Sequence, residues 1–132
     1  MVPSNLKITP SLSMQLLGIA KEHSPQEIAG LVAGYCLDGW ACATKIVKIR
    51  IFKSTKRSVM TDLNEIKSIS DRVFILASYH SHPNGFVTAS PQDLVYMENL
   101  DKLLKRNLYY LIVSQNSIGA YYQGRQVKYT IK

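Results

Sequence analysis

Residues 73–79 read Val-Phe-Ile-Leu-Ala-Ser-Tyr, a nearly unbroken apolar run that ends on His80-Ser81-His82. A strand with one solvated face alternates polar and apolar positions, so a run of this kind predicts a strand covered on both faces. Whatever this chain folds into must bury that strand inside a sheet and release it at a pair of histidines.

The flanking sequence supplies the other elements. Leu6–Ile8 suits a short strand, and Thr9-Pro10 opens a helix through Thr as N-cap and Pro at the first helical position. Leu12, Leu16, Ile19 and Ala20 line one face of that helix, which ends near His23, before Pro25. From Glu27 the chain runs apolar to Tyr35. Asp38-Gly39 is a hairpin signal, and the return strand extends from Ala41 to Phe52. Lys53–Ser58 reads as a loop, Thr61-Asp62 caps a short helix through Ser70, and a third helix runs from Ser90 to about Arg106 with Leu94, Met97, Leu100, Leu103 and Leu104 inward. Tyr109–Ser114 and Ile118–Gln123 pair, and Gly124-Arg125 turns into a last strand, Val127–Ile131. Strands mixed with three helices on one sheet indicate an α/β or α+β fold.

At 132 residues the chain fits one domain, 1–132, with a single hydrophobic core. Its 46% hydrophobic and 19% charged residues exclude a disordered or collagen-like chain. No apolar run approaches the roughly 18–20 residues of a membrane span, and the polar start Met1–Asn5 is unlike a secretion signal, so a cytoplasmic address is expected. The net charge of +7 is concentrated in Lys45, Lys48, Arg50, Lys53, Lys56 and Arg57. These cations interleave with Ile46, Val47, Ile49 and Ile51, the pattern of a half-buried strand with a basic solvated face. That reading ranks ahead of an acidic protein partner, and both rank well ahead of nucleic acid. Cys36 and Cys42 flank the hairpin turn and could face each other across it. Reduced thiols are the default in a mesophile's cytoplasm, with hyperthermophiles the exception.

The chemistry is concentrated in one stretch. In an extended segment residues two apart share a face, so His80 and His82 can aim two imidazoles at one point, and Asp93 could add a carboxylate oxygen. Two His and one carboxylate, with the fourth position left to water, is the pattern of a catalytic zinc. Ser90-Pro91-Gln92-Asp93 also fits a helix start, with Ser90 as N-cap and Asp93 at its third position. A zinc site for hydrolysis needs a carboxylate that carries protons without binding the metal. Glu27 begins an otherwise apolar strand, where burial is costly without a task. From position alone it reads better as a solvent-facing residue at the strand's first position. His23 reads as an exposed helix-end residue rather than a fourth ligand.

Glu27, then much later His80-X-His82, seven residues, Ser90, two residues and Asp93, resembles the signature of JAMM (MPN+) metalloproteases in type and spacing. Gly30-Leu31-Val32-Ala33-Gly34 and Tyr79-His80-Ser81-His82-Pro83 are also similar to that family's. The resemblance extends over essentially the whole chain, and the compact length is like that of the stand-alone archaeal or bacterial members, without the long insertions with which eukaryotic relatives grip ubiquitin. It implies a curved mixed sheet flanked by helices, the cytidine-deaminase-like MPN fold. It implies that His80, His82 and Asp93 bind one zinc ion, that Glu27 is the general acid/base, and that Ser90 stabilises the tetrahedral oxyanion. The implied activity is hydrolysis of the amide bond after the C-terminal Gly-Gly of a ubiquitin-like protein in its conjugates. The alternatives are a peptidase that processes a ubiquitin-like sulfur carrier or small peptides, and a non-catalytic scaffold of the same fold. Scaffold members lack the ligands, whereas all are present here.

Overall fold

The computed structural model describes residues 5–56 and 58–132. Met1–Ser4 of the polar start and Arg57 of the basic run lie outside the described residues. Asn5–Ile8 forms β1 and Pro10–His23 forms α1. Thr9 caps that helix as expected: its Oγ1 accepts the Leu12 N–H at 3.2 Å. Ala29–Leu37 (β2) and Trp40–Val47 (β3) make the hairpin. Asp38 and Gly39 at its turn take φ of 52° and 81°, the positive values that a type I′ turn demands of both central residues. Ile51–Ser54 (β4), Val59–Thr61 (β5), Leu63–Ser70 (α2) and Ile75–Ser81 (β6) follow. Pro91–Leu104 (α3), Tyr109–Val113 (β7), Ile118–Tyr122 (β8), Arg125–Val127 (β9) and Tyr129–Ile131 (β10) complete the order.

Eight strands form one mixed, curved sheet in the order β10-β1-β3-β2-β6-β7-β8-β9. Its two edge strands, β9 and β10, are separated in sequence by Lys128 alone. The sheet must therefore curl until its edges approach, which gives the α+β fold an almost barrel-like form. β6 lies inside it, antiparallel to β2 and parallel to β7. Along β7 the side chains alternate strictly. Tyr109, Leu111 and Val113 join a core with Leu12, Leu16 and Ala20 of α1, whereas Tyr110 and Ile112 join one with Ile66 of α2 and Met97 and Leu100 of α3. The expected single core is thus two, one on each face of the sheet, because helices cover both sides. Burial of each such Leu or Ile contributes roughly 1.5–3 kcal/mol.

The structure departs from the sequence-based expectation at several points. The return strand does not reach Phe52. β3 ends at Val47, and Ile51–Ser54 leaves the main sheet to pair with Val59–Thr61, inside and just after the expected loop. The alternation of apolar and basic residues signals a half-buried strand but not its partner, and Lys45, Lys48, Arg50, Lys53 and Lys56 are all exposed as that pattern requires. β6 starts at Ile75 because the Val73 N–H still bonds to Ile69 O of α2, and Val73 and Phe74 are exposed. The last strand divides at Lys128 between opposite sheet edges. Leu94 is exposed, unlike Met97 and Leu100 on the same helix. Glu27 precedes β2 rather than opening it. Cys36 pairs with Ala41 and Cys42 with Tyr35, so alternation sends the two thiols to opposite faces, one exposed and one buried, and both are free.

Gly34 sits at a β2 bulge where an added Cβ would lie 2.0 Å from the Cys42 carbonyl oxygen, a backbone atom that cannot step aside. Gly34→Ala is expected to destabilise the fold by about 1–3 kcal/mol or more. Gly18→Ala, on an exposed face of α1 with no atom within 4 Å, is expected to stabilise it by about 0.5–1 kcal/mol. Urea denaturation of the two variants checks both signs.

Candidate metal centre

β6 carries His80 within the strand and His82 just beyond it. The His82 N–H bonds to Val113 O at 2.8 Å, so the ladder with β7 continues past both histidines and fixes their shared face. Their Nε2 atoms stand 3.1 Å apart. Asp93 occupies the first turn of α3, held by a reciprocal cap: Ser90 Oγ accepts the Asp93 N–H at 3.0 Å, and Asp93 Oδ2 accepts the Ser90 N–H at 2.9 Å. That carboxylate lies 3.2 Å from His80 Nε2 through Oδ1 and 3.0 Å from His82 Nε2 through Oδ2. Strand alternation and a helix cap, two local rules, therefore converge on one point.

The donor set fits a zinc ion. Four ligands at about 2.0–2.1 Å in a tetrahedron stand roughly 3.3–3.4 Å apart, within a few tenths of an ångström of the three separations found here. The His82 ring is set for coordination through Nε2: Nδ1 lies 3.0 Å from the Phe86 carbonyl, which can only accept, so Nδ1 carries the proton and Nε2 presents its lone pair. Burial by itself would raise the Asp93 pKa, but bonds from His80, His82 and the Ser90 N–H hold the carboxyl well below the usual carboxylate range. In the protonated imidazolium the Nε2–H donates to Asp93, which raises the His82 pKa against the opposing effect of burial; a bound cation would take that proton's place at Nε2. His23 is exposed at the end of α1 and is not part of this group.

Glu27 is buried, 9% exposed, and lines one cavity of about 120 Å3 with His80 and Asp93. Burial pushes its carboxyl pKa up, His80 and His82 draw it down, and Asp93 raises it again. Two supports place this residue. Its N–H bonds to Thr55 O at 2.7 Å and its carbonyl accepts from Ser54 Oγ, so the β4–β5 hairpin grips its backbone. Next to it, the Ile28 N–H donates to Ser81 Oγ at 2.9 Å. Ser90 does not line this cavity; its contacts with the site run through Asp93.

Sequence reasoning singled out the five motif residues and missed their supports. Ser81, between the histidines, ties β6 to the Glu27 segment, and a small polar residue on a buried strand was a signal available for it. The Phe86 carbonyl, a backbone group, carries no side-chain signal. The loop that presents it is pinned by β8: the Ala89 N–H donates to Tyr121 Oη at 2.9 Å, and Gly119 leaves room for Val87, whose carbonyl oxygen would lie 2.6 Å from an added Cβ.

No protein-family model and no curated protein matches the chain. Among solved structures it is similar to one described as a JAMM metalloprotease-like zinc site in the proteasome and signalosome, with a TM-score of 0.62 and 20% identity over 97% of this chain and 98% of the other. A JAB1/MPN domain protein from Archaeoglobus fulgidus gives a TM-score of 0.62 at 22% identity, covering 98% of this chain and 99% of that one. A protein from Desulfitobacterium hafniense, determined in solution, gives 0.72 at 18% identity over 96% and 92% of the two chains. The chain has the JAMM/MPN fold.

Zinc is expected to raise the thermal midpoint and a chelator to reverse the rise; free zinc at a hundred times its Kd adds about 2.7 kcal/mol. Ser90→Ala removes the cap and is expected to cost about 0.5–2 kcal/mol without metal. It also loosens Asp93, so calorimetry should show weaker zinc binding.

Proposed function

We propose that this protein is a zinc metallopeptidase that hydrolyses the amide or isopeptide bond after the C-terminal Gly-Gly of a ubiquitin-like modifier. The observation that carries the reading is the convergence of Glu27, His80 and Asp93 on one cavity, with His82 completing the ligand set. A metal-ligating triad with an open position provides a place for water but no group to take its proton. The buried carboxylate beside it gives the site a proton carrier, which amide hydrolysis requires and metal storage does not.

His80, His82 and Asp93 hold the ion, and zinc bound there would supply a Lewis acid and lower the pKa of water from 15.7 to about 7. Glu27 takes the proton of the attacking water on its carboxylate. Burial raises its proton affinity, which matches it to that water better than an exposed glutamate would be matched. The same carboxyl then delivers the proton to the leaving amine nitrogen, so one residue serves as base and acid in turn. Ser90 Oγ lies outside the cavity lining, accepts from the Asp93 N–H and still has its own hydrogen to donate; the resemblance to JAMM metalloproteases assigns that hydrogen to the oxygen that becomes negative in the transition state. One such donor is worth roughly 3 kcal/mol of the barrier. Among the described residues, no helix is long and apolar enough to cross a membrane.

Glu27→Gln preserves the shape of the side chain and removes its proton-carrying ability. The variant is expected to keep about one zinc per chain and the wild-type fold, and to lose about 100- to 10,000-fold in rate. The assay uses a modifier joined to lysine, a linear modifier fusion and a dipeptide in parallel. Full activity of the variant on all three removes Glu27 from the mechanism.

A further inference from the structure

The cavity at the metal centre has a wall that neither the ligands nor Glu27 provides. Tyr96 lies three residues after Asp93, one turn along α3. Its ring packs against the core shared by α2 and α3, and its phenol interacts with the hydroxyls of Thr61, at the end of β5, and Ser78, two residues before His80 on β6. Tyr96 therefore touches the helix that bears Asp93, the strand that bears the histidines and the hairpin that grips Glu27. It lines the same cavity as Glu27, His80 and Asp93, with Ala29 and Val59 contributing further wall.

We propose that Tyr96 is a specificity-determining residue that limits the amino acid contributing the scissile carbonyl to one with little or no side chain. The proposal rests on the reading that a peptide bond is presented at the metal, and it concerns what fits there. The cavity holds about 120 Å3. That is far below the roughly 300–1,000 Å3 of pockets that enclose a drug-sized ligand. The attacking water, the amide group and its α-carbon share this narrow space beside Glu27, His80 and Asp93, and a branched side chain there would meet the Tyr96 ring on the opposite wall. That ring has little room to withdraw, because the core packs behind it and two hydroxyls engage its outer end. Side-chain size next to the cut is thus read by a wall fixed at three points.

The test is a binding measurement, independent of turnover. Zinc-loaded wild-type protein is titrated calorimetrically with N-acetyl-glycyl-glycine hydroxamate and N-acetyl-glycyl-leucine hydroxamate, whose terminal residue occupies the position of the carbonyl donor. The glycine ligand is expected to bind at least about tenfold more tightly, the scale on which a pocket discriminates by size. Tyr96→Leu keeps an apolar side chain against the core and shortens the wall. Val59→Ala enlarges the cavity from the hairpin side, away from the helix. Both are expected to reduce the ratio severalfold with zinc content unchanged, whereas Tyr96→Phe, which retains the ring and its core packing but not its two hydroxyl contacts, keeps most of it. A merely structural role would weaken both ligands alike and leave the ratio intact. Equal affinities in the wild type, or an unchanged ratio in both enlarging variants, overturn the size limit and leave the metallopeptidase reading standing, since both ligands bind. Failure of the zinc-loaded wild type to bind either hydroxamate overturns both.

Discussion

Burial of β6 on both faces up to His80 is the constraint on which the rest of the molecule depends. A strand with apolar residues on both faces cannot lie at a surface, so it draws β2 to one edge, β7 to the other, α1 over one face and α2 with α3 over the second. Those neighbours also pin the strand's register and direction. Because β6 is parallel to β7, the Val113 carbonyl receives the His82 N–H, and the histidine pair leaves the sheet at a defined height and orientation. The same packing that buries Ile75 and Leu76 therefore aims the imidazoles.

Gathering two imidazoles and two carboxyl groups in a confined space works against solvation. Each charged form loses water, and the pKa shifts record how the loss is offset: Asp93 is kept ionised by His80, His82 and the Ser90 N–H, while Glu27, with less compensation, is pushed toward its neutral form. Two carboxyl groups on one cavity thus acquire different proton affinities from different surroundings. That divergence suits one to binding a cation and the other to carrying a proton. Ser90 contributes to the division, because a helix cap that satisfies backbone donors also orients the ligand carboxylate.

Much of this was legible in the sequence, for reasons that are local. The caps at Thr9, Asp62 and Ser90 depend on residues three apart, and the Asp38-Gly39 turn on two adjacent residues, so each follows from chain chemistry near at hand. His80 and His82 share a face through the period of a strand. The departures lie where the partner is remote. The basic stretch after Val47 reads correctly as half-buried but joins a separate hairpin, and Val127–Ile131 reads as one strand but serves both edges of the sheet. Cys36 and Cys42 look symmetric about the turn, yet the pairing register places them on opposite faces. Leu94 follows the helical stripe on paper but is exposed in the first turn of α3.

Taken alone, the sequence determined most element types, the grouping of His80, His82 and Asp93 and the Ser90 cap, because dihedral preference, side-chain period and hydrogen bonding over three or four residues act without knowledge of the whole. The family resemblance singled out Glu27, but only the tertiary structure shows it buried on one cavity with His80 and Asp93. From its position that residue is an unremarkable charge ahead of a strand. It becomes a buried carboxyl beside the histidines because β2 runs antiparallel to β6, with Ala29 opposite His80, and because Ser81 and the β4–β5 hairpin hold the preceding segment over the metal ligands. The cavity and its Tyr96 wall have the same origin. Their dimensions follow from the distance between a helix, a strand and a hairpin, a quantity set by core packing across the sheet and absent from any stretch of sequence read alone.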